Sequence, residues 1–275
     1  MNPFYSMRAR YFLIVFTLLV LIERMGKQVL GNTFHISLSF FTSILVLYVF
    51  PSVWLFYQCK RHRVPFTVFM NRRESFNFLQ VLMITGMLCL FSYGYLVLYM
   101  YSFAWITPNF IIDILNEPII GNAGGYISQY IIIVLVAPII CEFVFRGFLF
   151  QRFAAKWGTG KGMIVAAILF GCFHIDFLGA VVFSIVLTIV YMRTKSLLMP
   201  ITIHMLNNAT VLITSFMVSK EEKMSLADFS TYTPFLTGLI IFIIGLNFVL
   251  VFLFMNRRYM SKEVPVVYAN KIREL

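Results

Sequence analysis

Glu142 and Arg146 stand four residues apart inside an apolar run from Tyr126 to Phe150. On a helix that spacing stacks a carboxylate and a guanidinium on one face, within pairing distance. A charged side chain near the centre of a bilayer costs about 3 kcal/mol on insertion scales, so such residues usually face a protein interior or a wet cavity and mark a functional site. The same pair also reads as self-neutralising glue between helices. Two later stretches tip the balance: Phe170-Gly171-Cys172-Phe173-His174, and His204-Met205-Leu206-Asn207-Asn208. Each puts an imidazole in or at the end of an apolar segment, and the second adds a carboxamide one turn on. The chain has four histidines, and the other two, His35 and His62, fall in expected loops. A lone histidine on an apolar face is usually a satisfied core residue. Glu142, Arg146, His174, His204 and Asn208 form a set, each costly to bury alone, and are expected to satisfy one another around one polar cavity.

The elements that carry this set must cross a membrane. The chain of 275 residues is 60% hydrophobic and 12% charged, with a mean hydropathy of +0.87, far from soluble domains and typical of polytopic membrane proteins. The apolar segments are too long and too uniform for the alternating strands of a barrel, so the expected fold is all-α. At about 20 apolar residues per span, about eight transmembrane helices are expected. They cover roughly residues 11–22 (extended toward 30), 36–57, 76–106, 126–150, 163–175, 177–192, 197–218 and 234–255. The fifth and sixth are short and joined through Asp176, as a tight pair that does not cross the full thickness. The stretch Thr107–Gly125, with Asp113 and Glu117 and no Lys or Arg, reads as an outer loop, and Lys220 to Asp228 as a nearly neutral one.

The net charge of +11 does not point to nucleic acid, because the basic residues sit at segment ends, where they set topology. Arg8, Arg10, Lys60, Arg61, Arg63, Arg152, Lys156, Arg193, Arg257 and Arg258 fall on one side. That puts both termini in the cytoplasm and the protein in a cell membrane. Cys59, Cys89, Cys141 and Cys172 show no paired spacing in loops, so no disulfide framework is expected. The whole chain reads as a single membrane domain, 1–275, with a site core at 137–218 and a cytoplasmic tail at 256–275.

Taken in order, Glu142-x-x-x-Arg146, Phe170-x-x-x-His174 and His204-x-x-x-Asn208 resemble the three motifs of the CPBP intramembrane proteases, also called the CAAX prenyl endopeptidase or Abi family. The resemblance covers about Ala137 to Val218. It implies hydrolysis of a membrane-associated peptide or protein by activated water, with His174 as base or water-positioner and His204 with Asn208 as donors to the tetrahedral oxyanion. The family's first motif normally opens with two adjacent glutamates. Here the first position is Cys141, a thiol where the main catalytic carboxylate is expected.

Several chemistries follow for that position. Glu142 serves as general base if burial outweighs the pull of Arg146, although adjacent helical residues point about 100° apart, so Glu142 does not simply replace residue 141. Cys141 is a candidate nucleophile, with His174 or His204 as base and Asn208 orienting or assisting the oxyanion. Cys141, Glu142, His174 and His204 are also suitable ligands for a divalent metal such as zinc, without the compact spacing that makes zinc sites recognisable. If hydrolysis is lost, the cavity remains as the binding site of a membrane scaffold or an immunity or regulatory factor. A small-solute or ion transporter is the alternative from another class; no inverted repeat supports it. The expected partners are the lipid bilayer and a membrane-associated substrate, with no nucleic acid.

Overall fold

A computed structural model describes residues 3–30, 41–70, 77–116, 126–218 and 232–261. The described residues are helical, with no strand beyond one isolated bridge between Met70 and Ser196. In chain order the helices are α1 (Pro3–Ser6), α2 (Ala9–Leu30), α3 (Phe41–Arg61), α4 (Phe78–Ala104), α5 (Pro108–Asn116), α6 (Ile127–Trp157), α7 (Thr159–Gly171), α8 (Phe177–Thr194), α9 (Leu198–Val218), α10 (Tyr232–Met255) and α11 (Arg258–Ser261).

Among the described residues, five helices are long and apolar enough to span a membrane: α3, α4, α6, α8 and α10. The apolar stretches Thr159–Gly171 and Leu198–Thr214 are shorter. Helix α2 occupies the expected first span, but Arg10, Glu23, Arg24 and Lys27 interrupt its apolar run. The fold is an all-α polytopic membrane protein. The expected outer loop after the third span contains α5, a helix from Pro108 to Asn116. Proline is tolerated in a first helical turn, where its missing N–H has no intrahelical partner to lose, and the helix buries Ile111 against Met100 and Ala104 of α4. Residues 117–125, the loop from Lys220 to Asp228, His35 and the tail beyond residue 261 lie outside the described residues.

Three π-helical stretches lie within the long helices: Leu45–Val49 in α3, and Ile132–Val136 and Phe143–Phe150 in α6. The first two each end two residues before a proline, Pro51 or Pro138. Proline offers no N–H to the carbonyl four residues back, and its ring crowds that carbonyl. A widened turn relieves the conflict without ending the helix. Such widened turns recur at functional sites, and the two in α6 flank Glu142.

One end of the bundle gathers the basic residues. Leu197 N–H donates to the Phe69 carbonyl at 2.8 Å, and the Arg193 guanidinium reaches Asn256 Oδ1 at 3.4 Å and Gln80 Oε1 at 3.3 Å. Helix α1 packs on the last turns of α6, and α11 on α7 and α8. Helix α7 turns back from α6 at Gly158, whose φ of +86° is open to glycine and costly for other residues. At 13 residues and about 1.5 Å per residue, α7 falls short of the roughly 30 Å hydrocarbon thickness.

Helix α10 packs along α4 through glycines. A Cβ on Gly245 would lie 2.5 Å from the Phe91 backbone nitrogen, and one on Gly94 would overlap the Phe242 backbone. Gly245→Leu is therefore expected to destabilise the protein by about 1–3 kcal/mol through overpacking, read as a lowered unfolding temperature in detergent. Gly26→Leu, at a position with open space around it, is the control and is expected to leave that temperature unchanged.

Candidate active site

The six residues singled out by type and spacing come from three places in the fold. Cys141, Glu142 and Arg146 lie on α6, His174 on the turn after α7, and His204 and Asn208 on α9. Glu142 and Arg146 are fully buried and His204 nearly so. Arg146 Nη1 donates to Glu142 Oε1 at 2.9 Å, and His204 Nδ1 lies 2.8 Å from the same oxygen. Because a carboxylate only accepts, His204 carries its proton on Nδ1 in this contact. Its Nε2 is left to face other groups. Glu142 Oε2 is buried and has no hydrogen-bond partner among the described residues.

Arg146 is held on three sides. Besides Glu142 it donates from Nη2 to the Ser184 carbonyl of α8 at 3.3 Å, and its guanidinium lies 4.8 Å above the Phe170 ring. Phe170 is the platform of the site. His174 stacks on it with ring centroids 4.4 Å apart, and His204 meets its edge at 6.0 Å. Phe183 approaches His204 edge-on at 5.1 Å. His174 Nδ1 lies 2.9 Å from the Phe170 carbonyl. That acceptor fixes the proton on Nδ1 and leaves Nε2 as the lone-pair nitrogen of neutral His174.

Asn208 stands apart from this cluster. Its Nδ2 donates to the Ile133 carbonyl at 2.9 Å, tying α9 to the first widened turn of α6. The neighbouring Asn207 accepts from Cys89 Sγ of α4 at 3.5 Å. Cys141 is partly buried, packed against the core one residue before Glu142. All four cysteines are free.

Among the described residues, no group of three or more His, Cys, Asp or Glu is gathered so as to hold a metal ion. Cys141, Glu142, His174 and His204 do not converge on one point, and Glu142 Oε1 already receives two donors. The donor set does not fit zinc, and no step below runs through a metal.

Ser184, Phe183 and the Ile133 carbonyl were not visible as site components in the sequence. A backbone carbonyl has no sequence signature of its own. The one readable hint was Pro138, a proline inside a spanning run, which forces local rearrangement of nearby carbonyls.

Residues 123–210 match the family model described as type II CAAX prenyl endopeptidase Rce1-like. The matched stretch is less than half of the chain and contains every residue of the candidate site. The match supports membership of the CPBP family and, at the level of activity, a CAAX-type intramembrane protease in a bilayer. No curated protein matches the chain, and no solved structure matches it.

Proposed function

We propose that the chain is an intramembrane endopeptidase that hydrolyses a peptide bond of a membrane-associated peptide or protein by activated water. The observation that carries this reading is the hydrogen bond of His204 Nδ1 to the buried, Arg146-paired carboxylate of Glu142, with a second imidazole against the same phenylalanine. Two histidines with committed Nδ1 atoms and available Nε2 atoms are the parts of an acid–base site.

In this mechanism His174 Nε2 takes a proton from water as its oxygen attacks the scissile carbonyl carbon. His204, held by Glu142, acts in its protonated form and donates Nε2–H to the oxyanion that develops. The carboxylate orients the His204 ring through Nδ1, and Arg146 keeps the carboxylate in place. Collapse of the tetrahedral intermediate breaks the C–N bond, and His174 returns its proton to the leaving amine. One new terminus takes the water oxygen and the other the proton, so the hydrolysis balances. Glu142 is then a positioning residue for His204, and Asn208 holds α9 against α6. The site core is the 137–218 region, and the basic end of the bundle with both termini faces the cytoplasm of a cell.

A second reading is favoured by the same carboxylate. Glu142 Oε1 is occupied by Arg146 and His204, and residue 141 is a thiol, so the site binds a peptide without cleaving it. Purified protein in detergent, offered a quenched membrane-peptide panel, separates the readings. Activity that survives in Cys141→Ala within a few-fold is the expected result and excludes thiol chemistry. Loss of all cleavage in that variant would make Cys141 the nucleophile. Silence in the parent with cleavage in Cys141→Glu would establish the binding-only reading.

A further inference from the structure

Between the start of α2 and the end of α3, at the basic end of the bundle, lies a cavity of about 400 Å³ that the peptidase chemistry does not use. Arg8, Arg61 and His62 line it together with Gln58 and Trp54, and none of its lining residues is a carboxylate. Neither guanidinium meets a carboxylate among the described residues. Arg61 Nη1 donates to the Tyr57 hydroxyl at 3.2 Å, and Arg8 lies over the Tyr11 ring, 5.7 Å from its centroid. These contacts position the two cations and do not neutralise them. Gln58 is buried, and the Trp54 indole N–H is buried with no acceptor among the described residues. A buried donor without an acceptor costs about 1–3 kcal/mol, which an oxygen-rich ligand would recover.

Burial first, and the Arg61 charge second, hold the His62 imidazole below its ordinary value. The second cause marks the cavity as electropositive. His62 is oriented by Ser6, whose Oγ is 3.0 Å from Nδ1.

We propose that this cavity binds the phosphodiester headgroup of an anionic phospholipid. Phosphate chemistry follows from the two guanidinium groups, which match phosphate oxygens in shape and charge. A lipid source follows from what adjoins the cavity. Ile14, Val15 and Leu18 lie three, four and seven residues beyond Tyr11, on the same face of α2, and all are exposed. Val53 lies one turn from Tyr57 on α3 and is exposed as well. An amphiphile with its phosphate in the cavity would lay acyl chains along both stripes, whereas free phosphate would leave them uncovered. Basic pockets between transmembrane helices bind lipid headgroups in this manner.

Native mass spectrometry of the full chain released from detergent, mixed with equal phosphatidylglycerol and phosphatidylcholine of matched acyl chains, tests the assignment. Preferential retention of phosphatidylglycerol is expected, and Arg8→Gln/Arg61→Gln is expected to reduce it by roughly ten-fold or more. Lys60→Gln/Arg63→Gln removes the same charge from positions outside the cavity and is expected to retain the lipid like the parent. Both variants are compared only as monodisperse material with the parent's helical circular dichroism. A second variant, Trp54→Phe, removes only the indole N–H and is expected to weaken retention by a few-fold. Equal loss in the Lys60/Arg63 control, or equal retention of phosphatidylcholine, overturns the site. Displacement of the lipid by millimolar inorganic phosphate overturns the lipid source.

Discussion

His174→Ala is expected to lower peptide turnover by roughly 10²–10⁴-fold, the usual contribution of a positioned acid–base group, while the protein stays folded. The two halves of that expectation have separate physical grounds. His174 lies on the turn between α7 and α8 and is among the more exposed residues of the site. Its removal costs one side-chain hydrogen bond, to the Phe170 carbonyl, and a stacking contact with the Phe170 ring. A hydrogen bond of this kind contributes about 1 kcal/mol net, too little to unfold the bundle. Turnover is different, because the mechanism uses His204 as the donor to the oxyanion, which leaves no second imidazole of the site to take the proton. The measurement is kcat on a cleaved peptide alongside the unfolding temperature. A fall in kcat with KM and unfolding temperature near those of the parent is the signature of lost proton transfer. Turnover within a few-fold of the parent in folded His174→Ala protein would remove His174 from the mechanism.

What the sequence disclosed about this site was its residue types, not its wiring. Glu142 and Arg146 were legible as a pair because four-residue spacing on a helix leaves little choice. His204 was legible as a site residue, but nothing in its spacing reveals that it bonds Glu142, 62 positions away. That contact depends on how α9 is laid against α6, a tertiary fact. Phe170 was part of a motif, yet its role as the ring shared by Arg146, His174 and His204 emerges only when three helices meet. Five of the eight expected spans, at 36–57, 76–106, 126–150, 177–192 and 234–255, coincide with helices long and apolar enough to cross, because apolar length is a one-dimensional property. Helix α8, expected to stop short of the full thickness, is among them. The widened turns were not legible, since a proline inside an apolar run says that the helix must yield but not how. Helix α5 was missed for a related reason. A nine-residue helix is too short to show a clear period, and its acidic residues made the stretch read as loop.

Glu142→Leu and Arg146→Leu are each expected to destabilise the protein strongly, and the double substitution to destabilise it less than the worse of the two. Both side chains are fully inaccessible, so each single change leaves an ion buried without its counter-ion. Removing one partner of a buried pair costs about 3–5 kcal/mol. At roughly 2–4 °C per kcal/mol for a chain of this size, the unfolding temperature should fall by about 6–20 °C. The double substitution removes both charges and fills the space with apolar side chains, an exchange that is often neutral or stabilising. It does not recover fully, because His204 Nδ1 and the Ser184 carbonyl lose their partners. The cycle is read from thermal unfolding of the four proteins in one detergent. Single effects that simply add in the double would mean the two ions are satisfied independently, by water or by other groups. The same four proteins also report on function. A double variant that is stable yet inactive separates the positioning of His204 from the stability of the bundle, because the histidine is then present without the carboxylate that orients its ring.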